Sequence, residues 1–213
     1  HGNLIRMNRT RYVRDNVFWY SSANKIYENS GADSRYSLHF MYADRNEILS
    51  NDYRRNSVGI FLMFSQGSTL KRNFVADSTG PFGIGIGMKE SSDILVEENQ
   101  ILYNARGFYL DSSPYQPGTF NTFRGNEINF NTTAFLLHGT LLPSLFESNV
   151  FKGNIEDVAN DTPESKLEIN TWRSNYWDNY EGFDRNDDGY GDIPHEQWMY
   201  ADRIWSYLPA AKF

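Results

Sequence analysis

The segment NKIYEN, Asn24 to Asn29, followed by SLHFM, Ser37 to Met41, sets the pattern that organises the chain. Its first half reads Asn, any residue, an aliphatic or Phe, two residues, then Asn or Ser. It returns as NLIRMN at Asn3, NEILSN at Asn46, NFVADS at Asn73, NQILYN at Asn99, NEINFN at Asn126 and NVFKGN at Asn149. The anchors stand 21, 22, 27, 26, 27 and 23 residues apart, which are solenoid periods. Each copy carries short β-branched or alternating segments bounded by Asn, Gly or Ser, the chemistry of strands and tight turns. Asn tolerates the left-handed conformation at a turn, and stacked Asn side chains can bond from coil to coil. One coil cannot bury its own apolar face, so the coils must stack on a shared core. The expectation is an all-β, right-handed parallel β-helix, with seven coils roughly 34 Å tall at the strand spacing of ~4.8 Å. A leucine-rich horseshoe has similar periods but lacks its leucine spacing here.

The second half of the pattern recurs as GIFLM at Gly59, GIGIGM at Gly83, GFYLD at Gly107 and AFLLH at Ala134. Strand alternation sends Leu38 and Phe40, Ile60 and Leu62, Phe108 and Leu110, Phe135 and Leu137 inward. Met41, Met63, Asp111 and His138 then end their strands facing out, with Met88 nearby in a coil that holds an extra residue. In register, this column is a ladder about 19 Å long, with His39 and Asp111 beside its sulfurs. Thioether and imidazole are soft or borderline ligands that select Cu(I). The competing expectation is that Met fills gaps or forms an adaptable sticky patch.

Composition sets the limits. The chain has 213 residues, a net charge of −7 and no cysteine, which excludes disulfides, thiolate zinc sites and thiol catalysis. No apolar run reaches the ~18 residues of a membrane helix. From Ile155 onward there are thirteen acids and five bases, while residues 1–154 hold fourteen acids and fifteen bases. A near-neutral body with an acidic tail argues against nucleic-acid binding. Arg6, Arg9, Arg11 and Arg14 read as a solvated edge. No nucleophile elbow, zincin or phosphate-cradling motif occurs.

The repeat fades after Asn154. Coils are therefore expected over 1–158 and a C-terminal cap over 159–213, with a polar linker from Val158 to Lys166. Between Trp172 and Phe213 stand eleven aromatics, including four of the five Trp, suited to covering an open coil end or to stacking a sugar. Inside lies DRNDDGYGD, Asp184 to Asp192. Oxygens on Asp184, Asn186, Asp188 and Asp192, with the carbonyl of Tyr190, have the spacing of a calcium loop. His195 stands where an EF-hand would carry its bidentate Glu. The expectations are a structural Ca2+ or Mg2+, or an acidic turn closed by Asx hydrogen bonds.

The Asn-anchored coils together with NYWDNYEGFDRNDDGYGDIPH, Asn175 to His195, resemble the NosD family, periplasmic β-helix accessory proteins of nitrous oxide reductase maturation. The resemblance implies a non-enzymatic soluble component of an ABC-type complex, held at the inner membrane by the subunits NosF and NosY. It implies dealings with the copper chaperone NosL and with apo nitrous oxide reductase, and a Cu(I) cargo accepted and passed on. Family members are longer and exported, so the chain reads as a C-terminal fragment that has lost N-terminal coils. The copper candidates Met41, Met63, Met88 and His138, with Asp111 and His39 nearby, come from the ladder and not from a family motif. Two other readings stay open: a carbohydrate-active or carbohydrate-binding β-helix using Asp111, Lys89 and Arg106, and a docking module with no copper site.

Overall fold

The computed structural model describes residues 1–163, 165 and 167–196. The chain winds into a parallel β-solenoid of three sheets, with eight, eight and seven strands, each strand pairing with its counterpart one coil away. Two faces are built mostly from three-residue strands, such as Lys25–Tyr27 and Ser30–Ala32. The third is longer: Asp15–Trp19, Tyr36–Met41, Val58–Met63, Ile84–Lys89, Arg106–Asp111, Thr133–His138 and Glu156–Asn160. Parallel pairing continues through Thr171–Arg173 and Tyr176–Trp177, so the coils run past the 158 boundary that the fading repeat suggests.

Asparagine holds the stack together. Asn8, Asn29, Asn51, Asn73, Asn99, Asn126, Asn149 and Asn175 form one unbroken ladder down the solenoid. From Asn29 onward each Oδ1 accepts from the backbone N–H and from the side-chain amide of the Asn one coil earlier, as Asn99 does from Asn73 at 2.9 and 3.0 Å. The other amide hydrogen goes to a carbonyl, for example from Asn99 to Leu70 at 2.9 Å. Turn backbone is thereby satisfied inside the protein, where an orphaned polar group would cost roughly 1–3 kcal/mol. The seven sequence anchors prove to belong to two columns. Asn3, Asn24 and Asn46 precede strands of the first face, whereas Asn73, Asn99, Asn126 and Asn149 precede strands of the second. The six-residue motif fits both sides of a coil, so the apparent 27-residue step from Asn46 to Asn73 is a change of column. The coil steps along the true ladder are 21, 22, 22, 26, 27, 23 and 26.

The corners after the long strands are single left-handed residues: Tyr20, Tyr42, Phe64, Glu90 and Ser112, with φ between 46 and 52°. Each costs roughly 1–2 kcal/mol for a non-glycine residue, offset by an amide that donates to the next coil. Tyr42 N reaches Met63 O at 3.0 Å and Phe64 N reaches Lys89 O at 2.9 Å. Inside, the residues predicted to point inward do so, and all eight are buried. The core changes from aliphatic to aromatic along its length, from Ile26, Ile48 and Leu70 to Phe123, Phe146 and Trp172. Phe146 and Trp172 stack at 4.0 Å, and Phe151 and Trp177 at 4.1 Å.

Candidate metal-binding face

The long-stranded face exposes the predicted ladder. Trp19, Met41, Met63, Lys89, Asp111 and His138 are consecutive register partners. One member of the expected set falls elsewhere. Met88 is 0% exposed and pairs with Leu62 and Leu110, so it belongs to the core and is unavailable to a surface ion. The outward position of that coil is Lys89. The neighbouring outward position is Gly87, for a steric reason: a Cβ there would lie 2.4 Å from the ring of Phe61, which covers it.

At the upper part of the face, His39 and Met63 converge. His39 Nε2 lies 3.1 Å from Met63 Sδ. The imidazole is stacked on Tyr36, with centroids 4.7 Å apart, and meets the edge of Phe61 at 6.2 Å. Burial pushes the His39 pKa below its ordinary value, Asp15 opposing and Arg35 adding to the effect, so the ring is neutral and offers a lone pair at neutral pH. Arg35 is itself ion-paired to Asp15, which holds that carboxylate below the usual range. Met41 is the register partner of Met63 and shares a strand with His39. An ion bonded to one nitrogen and one sulfur at roughly 2.0 and 2.3 Å would hold them about 3.5–3.7 Å apart, so this pair need open by only about half an ångström. A borderline nitrogen and one or two thioethers form a donor set suited to Cu(I) and poor for hard cations.

Below Met63 the chemistry changes. Lys89 Nζ donates to Asp111 at 2.7 Å, and Ser112 Oγ donates to the other carboxylate oxygen at 3.2 Å. His138 Nδ1 pairs with Asp161 at 2.8 Å. His138 is three strands from Met63, about 14 Å away, so the two cannot share an ion. Arg106 donates to the carbonyl of Pro81 at 3.0 Å and opens the strand that Asp111 ends, so the three saccharide-site candidates are not assembled.

The acidic loop closes on itself. Asp184 accepts from the amides of Asp188 and Gly189 at 3.2 and 2.8 Å, and Asp188 from Tyr190 N at 2.8 Å and Asn186 Nδ2 at 2.9 Å. Asp192 accepts from Arg185 N at 2.8 Å. Among the described residues no three His, Asp or Glu side chains cluster to hold a metal, so the calcium or magnesium expectation gains no support, and Asx-type bonding accounts for the loop. Trp172 and Trp177 end the internal stack, and His195 covers Trp177 at 4.7 Å, which favours capping over a sugar platform. Trp198, Tyr200, Trp205, Tyr207 and Phe213 lie outside the described residues. No described helix is long and apolar enough to cross a membrane.

Strand alternation sets His39 beside the ladder but does not show its contact with Met63, and Trp19 is a further outward member of the same column. The signal was present: VFWY, HFMY and FLMF at Val17, His39 and Phe61 occupy equivalent positions in successive coils.

A family model described as NosD, periplasmic copper-binding protein, matches residues 1–182. The chain is 29% identical over 154 residues to a probable ABC transporter binding protein NosD of Stutzerimonas stutzeri, a match covering 70% of this chain and 31% of that protein. It is 33% identical over 89 residues to the protein of the same description in Pseudomonas aeruginosa, covering 41% and 21% respectively. The matched stretches thus span about a third and a fifth of these relatives' lengths.

Proposed function

The chain belongs to the NosD family, and from that premise we propose that it is the part of a periplasmic accessory protein that takes up Cu(I) and passes it on for copper-site assembly in nitrous oxide reductase. In this reading His39 and Met63, with Met41 alongside, form the acceptor site. The carrying observation is the 3.1 Å approach of a neutral imidazole nitrogen to a thioether sulfur on the outer face of a cysteine-free chain. A carrier must release its ion. Few soft, neutral ligands bind Cu(I) while leaving its coordination incomplete, so an incoming thiol or imidazole can displace them stepwise. A rigid solenoid strand presents the donors without a folding step on binding.

The whole protein would work with a membrane ABC complex, NosF and NosY, with NosL as copper donor and the apo reductase as recipient. The relatives' description as ABC transporter binding proteins supports that setting. The role is binding, not catalysis. No observation favours the saccharide reading, because Arg106 is turned away from the Lys89–Asp111 pair.

An anaerobic Cu(I) titration against a competing chelator tests the reading on the native chain and on His39→Phe/Met63→Leu. Losing even an outer-shell partner of a metal costs roughly 10- to 100-fold in affinity, so the double variant should lose roughly 100-fold or more. Asp111→Asn and His138→Gln should bind as the native chain does. Equal binding by native and double variant would sink the site, and no binding by a folded native chain would leave docking as the function.

A further inference from the structure

Trp19 is a large side chain with no part in the core. It is 63% exposed, at the top of the column whose next two members are Met41 and Met63. Its strand neighbour across the same face, Val17, is the register partner of His39. Trp19, Met41, His39 and Met63 therefore stand on three adjacent strands, a span of about 10 Å.

The orientation of the indole is set by its neighbours. Tyr20, Tyr42 and Phe64, the three aromatic residues among the corners, stack along the solenoid with centroid separations of 5.1 and 4.8 Å and planes within 14°. Ring separations close to the coil spacing mean that their normals run along the solenoid axis. Trp19 lies 5.9 Å from Tyr20 with its plane tilted by only 18°, so one indole face is directed down the column toward the Met41 rung. The polar edge of the site is elsewhere, at Tyr36 and Asp15, so the indole borders the sulfur side.

We propose that Trp19 is a further ligand of this site, its indole face capping a soft monovalent cation held by His39, Met41 and Met63. The proposal rests on the copper reading above. Cu(I) with two or three soft donors keeps an open flank and a full positive charge. Tryptophan has the strongest cation-attracting ring face of the side chains, and the interaction strengthens when water is displaced. A capping indole would also limit access of oxidant to the thioethers, which otherwise convert to polar sulfoxides. It does so without adding a strong bond that would slow release. The cap explains why the column carries Trp at its upper end and turns ionic immediately below Met63, where no cation is to be held.

Silver(I), a soft monovalent ion without redox chemistry under these conditions, is the probe. It is titrated into the full chain while tryptophan emission is recorded, with affinity measured in parallel by chelator competition. The native chain should lose part of its emission at one equivalent, and Trp19→Leu should lack that change against the constant signal of the other four Trp. Affinity should fall roughly 5- to 30-fold in Trp19→Leu and less in Trp19→Phe, which keeps a weaker ring face. Circular dichroism confirms that the variants are folded. If Trp19→Leu binds silver with native affinity, or the native emission does not respond at saturation, the cap is overturned. The copper reading then survives, provided His39→Phe/Met63→Leu still abolishes binding. If the folded native chain binds neither silver nor copper, both fall together.

Discussion

The coils that carry Trp19, Met41 and Met63 and those that carry Lys89, Asp111 and His138 share strand direction and outward register, yet their outer surfaces differ in kind. The upper set presents thioethers, aromatic rings and a neutral imidazole. The lower set presents polar groups that satisfy one another, Lys89 ion-paired to Asp111 and His138 hydrogen-bonded to Asp161. The backbone ladder and inner column are equally regular under both. Fold and function thus draw on different residues: inner columns and Asn ladders specify the coil, leaving outer columns free to carry chemistry. Gly87 marks the seam between the halves, because Phe61 from the soft half lies across it.

Breaking the seam should have the largest effect. Gly87→Val places a side chain where the Phe61 ring lies, and overpacking of this kind costs about 1–3 kcal/mol. Urea unfolding should show that loss of stability. Cu(I) affinity should fall several-fold as well, since Phe61 also buttresses His39. An unchanged unfolding midpoint would mean that Phe61 does not need the space.

Shifting the boundary is the next test. Lys89→Met extends the soft column by one rung and removes the Lys89–Asp111 pair, a partly exposed bridge worth up to about 1 kcal/mol. Copper capacity or affinity should rise while stability drops slightly. A variant that binds copper exactly as weakly or tightly as the native chain would confine the site to the rungs above.

The smallest effect expected is in pH dependence. Burial lowers the His39 pKa below its ordinary 6.5, so the unfolded chain takes up this proton more readily than the folded one. The stability contributed by the neutral ring is present above pH 6.5 and is lost as pH falls toward the folded value. Denaturation midpoints measured from pH 8 to pH 5 should decline more in the native chain than in His39→Phe. Parallel curves would show that His39 titrates alike in both states.

Much of this was legible from residue order. The period-two alternation of SLHFM, GIFLM and AFLLH correctly assigned inward and outward positions, because the pleat leaves no other choice once one face is buried. Met88 was not legible. GIGIGM offers no side chain to mark which glycine faces out, and only the Phe61 ring lying on Gly87 decides it. The Asn anchors are legible as structural but not as two columns, since the same six-residue motif serves two corners of each coil.

By itself, then, the sequence determined the solenoid, its coil length, its inner column and the outward placement of Met41, Met63, Asp111 and His138. Those features follow from local periodicity and from the hydrogen-bonding needs of turn asparagines. Tertiary structure decided which outward groups meet. His39 and Met63 lie 24 positions apart and touch only because neighbouring coils bring a diagonal pair of side chains within reach. The same stacking that joins them leaves His138 and Asp111 to partners of their own. A column in the sequence establishes adjacency, but side-chain reach and the space left by a glycine determine which members form a site.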